Sequence, residues 1–158
     1  MKIYTFTVAL VDFEAVERTL ALSGNCTFND LHDLIFEAFE RFDAHLYHFL
    51  MPENQELDWN IYDSSICIKH PVMADDDMGM EQRDEQTVYT TDRCKIRDLS
   101  LNKGDVFFYE FDMGDSWWHR IRVDSIADDP AVKGNRKIRE IRARKGEAPP
   151  QYEEPDEN

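Results

Sequence analysis

The chain has 158 residues, 18 Lys and Arg against 33 Asp and Glu, and a formal net charge of −15. That length suits one domain with a core large enough to fold without metal or disulfide. With 42% hydrophobic and 12% aromatic residues, whole-chain disorder is excluded. The negative surface repels phosphate and disfavours sequence-blind binding of duplex nucleic acid.

Cys26, Cys67 and Cys94 are odd in number and form no C-x-x-C pair. Reduced thiols in a cytoplasmic protein are therefore expected, rather than a disulfide framework or thiolate zinc site. No apolar run approaches the roughly 18–20 residues of a membrane span. The first residues alternate and lack a signal-peptide core.

Residues 2–11 alternate with β-branched or aromatic side chains on both faces, as in a strand covered on both sides. Val16 to Leu22 reads as a second strand, ended by Ser23-Gly24-Asn25, and a short connection makes the two an antiparallel hairpin. Thr27 then caps a helix, with Asp30 returning the bond three residues on. Phe28, Leu31, Leu34, Ile35, Ala38, Phe39 and Phe42 form its apolar stripe, while Asp30, Asp33, Glu37, Glu40 and Arg41 fall on the opposite face. A helix over about 28–42 is expected to cover a sheet, since each large side chain it buries is worth about 1.5–3 kcal/mol.

His45 to Met51 reads as a strand stopped by Pro52. Residues 52–92 are weakly patterned, with short strands expected near Ile66–Ile68 and Val88–Tyr89. Between them the acids Asp75, Asp76, Asp77, Glu81, Asp84 and Glu85 outweigh Arg83, so Ala74–Glu85 is expected to be a solvated, mobile loop. Thr91 to Asn102, with Cys94, Ile96, Leu99 and Leu101, fits a short helix or turn, and Lys103-Gly104-Asp105 is turn chemistry. The clearest β signal is a hairpin over about 106–126, linked by Met113-Gly114-Asp115-Ser116. In its second strand Trp117, His119, Ile121 and Val123 face the core, while Trp118, Arg120, Arg122 and Asp124 face outward. Residues 133–145 hold seven bases, Lys133, Arg136, Lys137, Arg139, Arg142, Arg144 and Lys145, against Glu140. Residues 153–158 form an acidic, proline-containing tail expected to be disordered.

Three pieces in this order carry a resemblance. They are the helix running into His45-Leu46-Tyr47-His48-Phe49, the segment Leu99 to Gly104-Asp105, and Tyr109-Glu110-Phe111-Asp112-Met113-Gly114-Asp115-Ser116-Trp117-Trp118-His119-Arg120-Ile121. Residues 1–152 resemble the plasmid pRiA4b ORF-3-like family, which includes transposon-passenger-like proteins. The resemblance implies a single compact α+β domain with a curved, mostly antiparallel sheet packed against helices, and no particular reaction. Tyr47 stands where many members carry histidine, Trp118 where the residue is often acidic, and the C-terminal segment lacks the fuller Cys-Pro-Pro-Glu-Asp pattern.

Two sites follow from residue type. His45, Asp112, Asp115 and His119 are the ordinary ligands of a divalent metal, and His119 is also an acid or base near neutral pH. A metal-dependent hydrolase is one reading of that set. The other is that Asp112 and Asp115 are turn residues bonding their own backbone, and His45 and His119 satisfied core histidines. Nothing here matches a nucleophile elbow, phosphate loop or zinc helix. The second site is Trp118 with Arg120 and Arg122, since exposed tryptophan beside arginine marks contact surfaces. It supports the leading expectation, a small non-enzymatic binding or adaptor domain without a cofactor, holding a protein or nucleic-acid partner in a mobile-element-linked process. The basic segment is either an electrostatic patch or the internal counterion of the chain's own acids.

Overall fold

The computed structural model describes residues 1–13, 15–75 and 85–152. They form one α+β domain around an open eight-stranded sheet. The strands are β1 (Lys2–Leu10), β2 (Glu17–Ser23), β3 (Tyr47–Met51), β4 (Ile66–Lys69), β5 (Thr87–Thr90), β6 (Val106–Phe111), β7 (Trp117–Asp128) and β8 (Arg139–Lys145), in the order β5-β4-β3-β6-β7-β1-β2-β8. β4 and β5 pair parallel; the other neighbouring pairs are antiparallel. Helix α1 (Phe28–Ala38) covers one face, and a short α2 (Pro71–Asp75) follows β4.

The helix lies where the expected stripe requires. Thr27 Oγ1 accepts from the Asp30 amide at 3.1 Å and the Asp30 carboxylate accepts from the Thr27 amide at 2.9 Å, a reciprocal cap. Successive turns of α1 meet successive inward residues of β6. Phe28 packs edge-on to Phe107, His32 Nδ1 bonds the Tyr109 hydroxyl at 2.6 Å, and Phe36 packs on Phe111. Four helical residues advance about 6 Å and two strand residues about 6.6 Å, so the two repeats stay in step over this length.

A bulge on β7 extends the core. Thr5 pairs with Ser125 and Phe6 with Val123, leaving Asp124 as the extra residue. The extra residue shifts the alternation, so Val123 and Ile126 both reach the helix-covered face.

Among the described residues, the opposite, outer face carries buried apolar clusters at its two ends. Leu50, Ile61, Cys67 and Phe108 pack under the segment after β3, and Ile3, Ala21 and Val132 under the segment after β7.

Four expectations need correction. The helix ends at Ala38 rather than near 42: Glu40 takes a positive φ of 57° and turns the chain, so Phe42 lies 72% exposed instead of on the stripe. Arg41 is folded inward rather than out to solvent. Asp30 is also buried, held by Lys137 Nζ at 2.8 Å and Arg139 Nη1 at 3.1 Å. The basic segment thus neutralises an acid of its own chain, though on α1 rather than in the acidic loop or tail, and its second half is a strand that composition hid. Of the loop expected to be mobile, residues 76–84 lie outside the described residues, as does the 153–158 tail.

Candidate functional site

Three segments meet at one end of the sheet: the exit from α1, the tip between β6 and β7, and the stretch 147–152. Gln151, almost wholly buried, ties the last of these to the first. Its Oε1 accepts from the amides of Phe42 and Asp43 at 3.0 and 3.1 Å, and its Nε2 donates to the Asp43 carbonyl at 2.8 Å. The Asp112 amide donates to Leu46 at 3.0 Å and fixes the tip.

Two of the four expected metal ligands come together here. His45 Nε2 lies 3.5 Å from Asp112 Oδ2, 3.5 Å from Asp43 Oδ2 and 2.7 Å from the Tyr152 hydroxyl. Tyr152 donates to Asp43 at 2.6 Å, a bond that pushes its own pKa up to about 12, so its oxygen accepts from His45. Asp112 is also the turn residue of the alternative reading. It has a positive φ of 62°, and its Oδ1 accepts from the Gly114 amide at 3.0 Å and more weakly from that of Asp115. The Asp115 side chain stays exposed at the tip.

His119 faces inward. Its Nδ1 bonds the Trp117 carbonyl at 3.0 Å and its ring packs edge-on to Phe39 and Tyr109, each 5.0 Å away. Burial, reinforced by the Arg41 charge, lowers its pKa to about 3, which leaves it a neutral core residue. Among the described residues no three His, Cys, Asp or Glu side chains are grouped to hold a metal ion. His119, turned into the core, and Asp115, exposed at the tip, stand apart from His45 and Asp112 as metal donors.

Arg41 is the residue that sequence reasoning missed. Its guanidinium lies over the Trp117 ring, 4.4 Å from the centroid, and Nη1 donates to the Pro149 carbonyl at 2.9 Å. Its Nε and Nη2, and the Trp117 indole nitrogen, are buried without an acceptor. Helical periodicity pointed Arg41 outward, and only the docking of residues 147–152 pulls it in.

On the outer face of β7 lie Trp118, Arg120 and Arg122, with Trp118 packed against the cluster of Leu50 and Phe108 rather than standing exposed. Arg120 and Arg122 are exposed, and Arg122 Nε pairs with Asp124 at 2.8 Å. No carboxylate pairs with Arg120 among the described residues. Trp118 is half-buried, its ring 6.1 Å from that of Tyr62. Beside it, in register across three strands, stand Glu110 and His48. His48 Nε2 meets Glu110 Oε1 at 2.7 Å, and the Tyr62 hydroxyl donates to the same carboxylate at 3.1 Å. Burial, and then the charge and hydrogen bond of Glu110, raise the Tyr62 pKa to about 12. The sequence signal was there: a lone acid and a lone histidine in otherwise apolar strands.

Among the described residues no helix is long and apolar enough to cross a membrane. No curated protein matches the chain. A solved protein of unknown function from Methanosarcina mazei Go1 shares the fold, with a TM-score of 0.66 and 24% identity over 95% of this chain and 73% of its own. The family described as plasmid pRiA4b ORF-3-like protein matches residues 2–151. Matched over nearly its full length and built on the helix-and-hairpin core that the motif residues specify, the chain belongs to the plasmid pRiA4b ORF-3-like family.

Proposed function

We propose that the protein works by binding, as an adaptor that holds a protein partner on the outer face of its sheet. The observation that carries this reading is the uncovered middle of that face. Arg120 stands exposed there, bordered by the half-buried Trp118 and by Tyr62, which sit at the edge of the end covered by the segment after β3. Aromatic rings supply contact area at low entropic cost, and an arginine without an internal carboxylate is free to fork onto one from a partner. A net charge of −15 favours a protein over a nucleic acid as the occupant. The buried free thiols Cys26, Cys67 and Cys94 suit a reducing, cytoplasmic setting.

The test places a photo-crosslinking amino acid at position 120 and, as a control, at position 103 in the loop before β6. A protein captured reproducibly from position 120, absent from position 103 and lost when Trp118→Ala is added, supports the reading. Capture of nucleic acid, or of the same proteins from both positions, contradicts it.

A further inference from the structure

The basic segment 133–145 is not used up by internal pairs. Lys137 and Arg139 neutralise Asp30, and Arg142 stands 3.5 Å from Glu140, but Lys133 lies apart. It shares with Lys2 and Arg97 the wall of a cleft of about 520 Å³ at the far end of β1 from the Asp112 tip, floored by Tyr4 and Val132. Gly24 keeps that floor close. A Cβ there would come within 3.2 Å of both the Tyr4 ring and Arg97 Cβ.

The charge balance of this cleft is opposite to that of the chain. None of Lys2, Arg97 and Lys133 has a carboxylate partner among the described residues. The acid in the wall, Asp128, is held by the Met1 ammonium at 3.1 Å. In a chain of net charge −15, three cations line one concavity without a carboxylate paired to them among the described residues. A concavity of this size, with an apolar floor and a few charged groups on its rim, has the make-up of a small-molecule site, typically about 300–1,000 Å³.

We infer that this cleft binds a nucleoside phosphate. Arg97 and Lys133 hold the phosphate from opposite loops, since a guanidinium forks onto phosphate oxygens and an ammonium adds a point charge. The base and sugar lie against the exposed edges of Tyr4 and Val132, each 5% exposed, which give inorganic phosphate nothing to bind. The site is separate from the outer-face surface around Trp118 and stands whether or not that surface binds a protein.

Calorimetric titration of the full chain with AMP, GMP, CMP and UMP, and in parallel with adenosine and inorganic phosphate, tests it. At least one nucleotide is expected to bind with one-to-one stoichiometry, with nucleoside and phosphate each weaker by about tenfold or more. Arg97→Glu and Lys133→Glu, on separate loops, should each weaken the nucleotide by at least about tenfold, equivalent to about 1.4 kcal/mol, while Lys103→Glu leaves it unchanged. Circular dichroism melts confirm that the variants fold. Absence of heat with all four nucleotides, equal binding by Arg97→Glu and wild type, or phosphate binding as tightly as nucleotide overturns the proposal.

Discussion

His48 Nε2 and Glu110 Oε1 meet 2.7 Å apart on adjacent strands, with the two side chains 2% and 0% exposed. Water cannot replace either partner, so removing one strands the other. Glu110→Ala is expected to cost about 3–5 kcal/mol in urea unfolding. The double variant His48→Leu with Glu110→Leu should cost less than the sum of the two singles, because neither buried strand group is then left alone and the half-exposed Tyr62 hydroxyl turns to water. Additive losses would show that the pair is not coupled.

Acid should weaken the fold before its carboxylates titrate. Burial holds His32 and His119 neutral, with pKa values lowered to about 3. In the unfolded chain both protonate near pH 6.5, so the unfolded state binds more protons between about pH 6.5 and 3. Stability is therefore full above pH 6.5 and falls as pH drops through that window, by about 2 kcal/mol per histidine between pH 8 and 5. His32→Gln should remove about half of this loss in urea melts across pH 5–8. An unchanged slope would mean that His32 titrates normally in the folded protein.

Asp30 joins the start of α1 to the last strand. Its carboxylate accepts from the Thr27 amide, Lys137 and Arg139 at once. Asp30→Ala is expected to cost about 2 kcal/mol, roughly half from the lost cap and half from the partly exposed pairs. Lys137→Ala alone should cost under about 1 kcal/mol. Thermal melts of the two variants separate these contributions.

The helix start and the hairpin were legible because their signals are local. A capping box, an apolar repeat and an alternating strand around a four-residue tip each lie within a dozen residues. The end of α1 was not, since Phe39 continues the repeat while the backbone at Glu40 leaves the helix. Nor was β8, an edge strand whose Arg, Glu and Lys side chains read as a charge run; its pairing rests on Leu20 and Leu22 of β2, far back in the chain. At the site, His45 and Asp112 could be foreseen as neighbours from the hairpin motif. Gln151, Tyr152 and the inward turn of Arg41 could not, because they depend on a segment about 110 residues away docking there.

That docking rests largely on one side chain. Gln151→Ala removes three hydrogen bonds from a buried position and should cost about 1–3 kcal/mol. It should also release the 147–152 stretch from Arg41 and wet the Trp117 ring, shifting tryptophan emission to the red and admitting protease near Gly146. Unchanged fluorescence and cleavage would show that Arg41 and Trp117 hold the stretch without it.

Recognition on the outer sheet face is tested most directly by hydroxyl-radical footprinting of the cross-linked complex against the free protein. Trp118 and Tyr62 are predicted to lose reactivity together in the complex, while Tyr152 at the opposite corner keeps its own. Equal reactivity of Trp118 in the two states, or protection confined to Tyr152, would contradict the account.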